Sequence, residues 1–103
     1  MGEYQLQKEE SLRIVSPVLY RRMIDIFKKY NIHPYDAHGF IKKSHSGFEL
    51  SIKLADSFSE VGRTIISDKQ AFEPDEEVSE FFKETAESCK NRLIQEYFKM
   101  IKL

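Results

Sequence analysis

The sequence predicts a small α+β protein in which an antiparallel sheet packs against two helices. Three observations predict this class: helical periodicity over residues 17–30, strand alternation over 39–54, and a second helical pattern over 75–102 that no Gly or Pro interrupts. The chain has 103 residues, which is the length of one domain. Residues 1–103 are therefore expected to form a single domain.

The first helix has clear start and stop signals. Ser16 is placed to cap the first turn, and Pro17 takes the first helical position, where its missing N–H costs nothing. At the other end, Asn31 can adopt the left-handed conformation, and Pro34 prevents the helix from continuing. Its apolar residues recur at helical spacing and predict one buried face: Leu19, Met23, Ile26, Phe27 and Tyr30.

A β-hairpin is predicted over residues 39–54. In its second half, apolar and polar residues alternate from Phe48 to Leu54, which is typical of a strand with one buried and one solvated face. Residues 44–47, Ser-His-Ser-Gly, have the composition of a hairpin turn. Residues 61–67 are rich in β-branched side chains and form a candidate third strand beside the hairpin.

The N-terminal stretch leaves alternatives open. Residues 3–15 fit either a helix or a short strand added to the sheet, and periodicity does not distinguish the two at this length. Residues 1–12 are expected to be either a mobile segment or one extra short element.

Composition excludes several classes of protein. Hydrophobic residues make up 41% of the chain and aromatic residues 13%, which is too apolar for a disordered chain. No segment approaches the roughly 18 apolar residues of a membrane span, so we expect no membrane partner. The single cysteine, Cys89, cannot form an internal disulfide, which fits a reducing compartment. The sequence therefore predicts a cytoplasmic protein.

The C-terminal helix is long for a chain of this size. At about 1.5 Å per residue, residues 75–102 span roughly 42 Å, whereas a compact chain of this length has a diameter of roughly 33 Å. Its final turns are also the most apolar. Either the helix breaks near Asn91 or is wrapped by the N-terminal segment, or these turns contact another chain.

We therefore expect a small regulatory or inhibitor-like module that binds protein through this helix and self-associates, most simply as a homodimer. Small proteins of this composition are common as regulators in bacteria and their phages. The predicted contact surface has five apolar anchors and an acidic flank: Phe82, Leu93, Tyr97, Phe98 and Ile101, with Glu80 and Glu84.

Nucleic-acid binding is the alternative function, because charge is distributed unevenly along the chain. Residues 13–53 hold eight basic and three acidic residues, whereas residues 54–88 hold three basic and ten acidic residues. A basic surface can neutralise phosphates. The residues that would form it lie on the first helix and the hairpin: Arg21, Arg22, Lys28, Lys29, Lys42, Lys43 and Lys53.

The order helix, three strands, helix is similar to that of double-stranded RNA-binding domains. Those domains have a lysine-rich start to the final helix, whereas here that helix starts Glu73-Pro74-Asp75-Glu76-Glu77. An acidic helix start repels phosphates. The resemblance therefore extends to topology alone.

No catalytic constellation is predicted. His33, Asp36 and His38 lie within six residues of one loop, but their spacing matches no metal-binding signature. Cys89 lies on the apolar stripe of the last helix, where a cysteine usually behaves as a small buried hydrophobe. We therefore expect a protein that is not an enzyme, with no cofactor and no metal.

Overall fold

A computed structural model describes the backbone of residues 8–101 and the side chains of residues 8–95. The predicted α+β class is confirmed, as are both helices, the hairpin and the third strand. In chain order the elements are β1 (Glu10–Ser11), α1 (Leu12–Val15), α2 (Pro17–Lys29), β2 (Ala37–Ser44), β3 (Gly47–Leu54), β4 (Glu60–Ile66), α3 (Asp68–Phe72) and α4 (Glu76–Ile101).

The four strands form one antiparallel sheet in the order β1-β2-β3-β4. The register of the hairpin places Ile41 opposite Leu50, which in turn lies opposite Thr64 of β4. The turn ends at Gly47, whose φ is +148°. A Cβ atom there would lie 2.1 Å from the carbonyl oxygen of Ile66, so this position requires glycine.

Both long helices cover the same face of the sheet. Gly39 and Gly62 flank Ile52 in register from either side, so the three residues share a face. A Cβ atom on Gly39 would meet Met23 of α2, and one on Gly62 would meet Thr85 of α4. We call this side the covered face. The core between the layers includes Leu12, Leu19, Met23, Phe27, Leu50, Ile52, Ile66, Val78, Phe82 and Cys89.

The start of the described chain contains both a strand and a helix. Glu10 and Ser11 pair with Ile41 and Phe40 of β2, and α1 follows at once. Leu12 is completely buried, whereas Ile14 is 74% exposed. Each alternative for residues 3–15 is thus correct for a part of the segment, and residues 1–7 lie outside the described residues.

The chain between β4 and α4 forms a short helix that the sequence patterns did not predict. A capping box begins it: the Gln70 backbone N–H donates to Ser67 Oγ at 3.1 Å, and the Ser67 N–H donates to Gln70 Oε1 at 2.9 Å. β4 therefore ends at Ile66. α4 then runs through Asn91 without interruption, so the alternative of a break there is wrong.

Within residues 8–101, no helix has both the length and the apolar character that crossing a membrane requires.

Candidate functional site

The N-terminal end of α4 is firmly anchored to the rest of the fold. The Asp75 carboxylate accepts a hydrogen bond from the Val78 N–H at 3.1 Å and others from the Gln70 amide. These bonds, led by that from Val78, lower the pKa of Asp75. The Arg22 guanidinium of α2 donates to Ser79 Oγ at 2.6 Å. This end of α4 is therefore held in place by α2 and α3.

The first half of α4 packs against the sheet through one apolar stripe. Val78, Phe82, Ala86 and Cys89 recur at intervals of three and four residues and are completely or almost completely buried. Burial raises the pKa of the Cys89 thiol to about 11, with a smaller contribution from the charge of Asp36. The thiol is therefore protonated at neutral pH and behaves as a core side chain.

The buried stripe ends where the helix continues. Leu93, one turn after the buried Cys89, is half-buried, and its neighbour Ile94 is 43% exposed. The helical backbone goes on to Ile101, about 10 Å beyond Ile94 at 1.5 Å per residue. We call residues 90–101 the distal part of α4. Its sequence remains apolar to the end of the helix.

The structure describes the side chains of two of the five predicted apolar anchors, Phe82 and Leu93. Phe82 is wrong as a contact residue, because it is completely buried in the core of this chain. Leu93 packs partly against the core. The side chains of Tyr97, Phe98 and Ile101 lie outside the described residues.

Ile94 belongs to the surface, although it is not among the predicted anchors. Leu93 packs partly against the core, whereas Ile94 points about 100° away from it around α4. No local sequence signal identifies Ile94 as exposed, because the adjacent Thr85 and Ala86 of the same helix are both buried.

Charge changes sign along α4. The predicted flank, Glu80 and Glu84, is exposed, and within it Lys83 approaches Glu80 at 3.7 Å. The exposed acidic residues of the first half are Glu76, Glu77, Glu80, Glu84 and Glu87. From Lys90 onward the sequence is predominantly basic, with Arg92, Lys99 and Lys102 following.

The seven basic residues predicted to bind nucleic acid do not form one surface. Strand alternation places Lys42 and Lys53 on the side of the sheet opposite the helices, which we call the open face, and Lys43 on the covered side. Arg21, Lys28 and Lys29 are exposed on α2. The predicted phosphate-binding surface is therefore divided between two sides of the molecule.

Four of the seven also have partners within the chain. Lys42 pairs with Glu49 at 3.2 Å, Lys53 with Glu9 at 2.8 Å, and Lys43 with Asp68 at 3.7 Å. Arg22 is used to hold α4, as described above. These contacts reduce the positive potential that a phosphate would meet.

The histidine-containing loop is ordered by its own hydrogen bonds. The His33 N–H donates to Asp36 Oδ2 at 2.9 Å, and the Tyr35 N–H donates to His33 Nδ1 at 3.3 Å. His38 is exposed on β2. In the part of the chain that the structure describes, no three His, Cys, Asp or Glu side chains are grouped as a metal site would require.

A scan of protein-family models, a search of curated proteins and a search of solved structures each find no match to this chain. Function is therefore inferred from the geometry and charge of the site.

Proposed function

We propose that this protein is a small regulatory, protein-binding module that self-associates through the distal part of α4. The observation that carries the proposal is the continuation of the helix to Ile101 while burial decreases from Cys89 through the half-buried Leu93 to the exposed Ile94. In proteins, most of the stability of a helix comes from the packing of its apolar face against another surface. A second surface that covers these turns would stabilise them.

The apolar composition of these turns favours their burial against a protein surface over exposure to solvent. Covering an apolar side chain of the size of Leu, Ile or Phe contributes about 1.5–3 kcal/mol. Ile94 is exposed, and four more apolar residues follow it in the helix: Tyr97, Phe98, Met100 and Ile101. Several such residues are enough to hold two chains together.

The charge gradient of α4 favours a second copy of the chain, arranged antiparallel. In a two-fold arrangement that crosses near Ile94, the basic end of each helix lies beside Glu87 of the other. Opposite charges then meet along both sides of an apolar centre, which sets the orientation of the pair.

The test is the molar mass in solution, measured by light scattering after size-exclusion chromatography. We expect the full chain to be a dimer and Ile94→Glu to be a monomer, because a carboxylate in the apolar centre cannot be paired there. Gln95→Glu is the matched control: it adds the same charge at the adjacent exposed position and should remain dimeric. A monomeric full chain, or an equal effect of the two substitutions, would contradict the proposal.

Charge reversal tests the antiparallel orientation. Glu87→Lys should weaken the dimer, because Glu87 is exposed and lies two turns before Ile94 on the same side of the helix, where an antiparallel partner places its basic end. If Glu87→Lys forms a dimer as stable as that of the full chain, the orientation is wrong. Circular dichroism on each variant shows whether the fold is retained.

A further inference from the structure

A second candidate site lies on the opposite side of α2 from α4. It is a hollow of about 280 Å³ between β1, α1, α2 and the loop that precedes β2. β1 pairs with Phe40 and Ile41 of β2, and His38 and Gly39, which precede them in β2, line the hollow. The side chains that line it include Ser11, Arg13, Tyr20, Pro34, Tyr35 and His38, and we call it the Arg13 hollow.

The lining of the Arg13 hollow is basic and aromatic. Arg13 and His38 supply the basic groups, and among residues 8–95 no carboxylate side chain lines the hollow. A guanidinium binds phosphate through two parallel hydrogen bonds. Tyr20 and Tyr35 add aromatic rings, against which a planar ligand can stack. The combination suits a ligand that has both an anion and a ring.

Tyr35 is held in position although it contributes little to the core. Its side chain is 79% exposed, and its ring stacks on that of His33, with the ring centroids 4.7 Å apart. Hydrogen bonds within the loop fix the backbone on either side, including one from the Asp36 N–H to the His33 carbonyl oxygen at 2.8 Å. An exposed ring on an ordered loop is a preformed stacking surface, which lowers the entropic cost of binding.

We propose that the Arg13 hollow binds a small molecule in which a phosphate is joined to an aromatic ring. The ring stacks on Tyr35, and the phosphate accepts hydrogen bonds from Arg13 and His38. Recognition depends on side chains, because the four glycines of the chain are isolated and form no phosphate-binding loop. The volume of the hollow sets an upper size near that of a mononucleotide.

The test is a titration followed by tyrosine fluorescence, which is accessible because the chain contains no tryptophan. The probes are AMP and phenyl phosphate, which differ in ring size, with adenosine and inorganic phosphate as single-group controls. We expect saturable binding of at least one of the two aromatic phosphates, and binding at least tenfold weaker for adenosine and for phosphate. The better of the two aromatic phosphates identifies the ring that the hollow accepts.

Two substitutions locate the binding. Arg13→Gln and Tyr35→Ala should each weaken binding about tenfold; binding to Tyr35→Ala is followed by isothermal titration calorimetry, because the substitution removes a fluorophore. Arg21→Gln and Phe58→Ala are the matched controls, since both remove an exposed side chain of the same kind elsewhere. Unchanged affinity in Arg13→Gln and Tyr35→Ala, equal losses in the controls, or no saturable binding of either aromatic phosphate would overturn the proposal.

Discussion

The two faces of the sheet are built by different physical means. On the covered face, Leu50, Ile52 and Ile66 are buried beneath α2 and α4. On the open face, the Glu49 carboxylate lies between Lys42, at 3.2 Å, and Arg63, at 2.9 Å. One face is stabilised by the exclusion of water, and the other by pairs of charges that remain in contact with it.

This difference predicts how substitutions and acid affect the stability that each face contributes. Burying a large apolar side chain contributes about 1.5–3 kcal/mol, whereas an exposed ion pair contributes about 0.2–1 kcal/mol. Substitutions on the covered face should therefore dominate the free energy of unfolding. Acid, in contrast, should act through carboxylates whose pKa is lowered, which include Glu49 on the open face and Asp75 at the start of α4.

The largest effect is expected for Phe82→Ala on α4, which packs against the covered face. Because Phe82 is completely buried, its truncation leaves a cavity and should lower the free energy of unfolding by about 3–5 kcal/mol. Urea denaturation followed by circular dichroism measures the loss. Phe72→Ala is the matched control, since Phe72 is 75% exposed and should change stability by about 0.5 kcal/mol or less. Similar losses in the two variants would refute the assignment of Phe82 to the core.

An intermediate effect is expected where α4 meets β4. In Gly62→Ala, the new Cβ atom would lie 2.4 Å from Thr85 Oγ1 and 2.9 Å from Thr85 Cγ2. We expect a loss of about 1–3 kcal/mol, because the helix and the strand must separate. Thr85→Ala removes both of those atoms, so the double variant should lose less than the sum of the single losses. Strict additivity in the double-mutant cycle would mean that the two positions are not in contact.

The smallest effect is expected on the open face, and it depends on pH. The hydrogen bond from Lys42, followed by that from Arg63, lowers the pKa of Glu49, and Lys53 and Arg63 do the same for Glu9 and Glu60. Because these pKa values are lower in the folded state, the stability they add is present at neutral pH. It is lost as the pH falls through the carboxyl range, near and below about 4.

Glu49→Gln tests this pH dependence. At neutral pH it should cost about 0.5 kcal/mol, and the difference from the unsubstituted chain should disappear in acid. Thermal unfolding between neutral and acidic pH measures both. Glu73→Gln, an exposed position outside these ion pairs, serves as the control and should leave the curve unchanged. A constant difference at every pH would show that Glu49 acts through packing and not through charge.

Local signals in the sequence predicted most of the fold. Ser16 accepts the hydrogen bond of an N-cap from the Leu19 N–H, and Asn31 has the predicted positive φ, at 62°. These features depend on residues that are close in the chain. The helix Asp68–Phe72 was missed although Ser67 and Gln70 have capping-box spacing, because five residues are too few to show helical periodicity.

The candidate sites were less predictable, because they depend on residues that are distant in the chain. Lys42 and Lys43 are adjacent, yet strand alternation places them on opposite sides of the sheet. Lys53 meets Glu9, which is 44 residues away. The Arg13 hollow likewise combines side chains from five parts of the chain, and no local pattern relates them.

Helical periodicity was sufficient to show that Phe82 and Cys89 share one apolar stripe, and that apolar residues continue to Ile101. Periodicity specifies which residues face the same way, but not what lies opposite them. Tertiary packing set that boundary: the stripe is buried as far as Cys89, Leu93 is half-buried against the core, and Ile94 is 43% exposed. The reason is geometric, since α4 grows by about 1.5 Å with every residue, whereas the surface that can cover it is limited by the width of four strands.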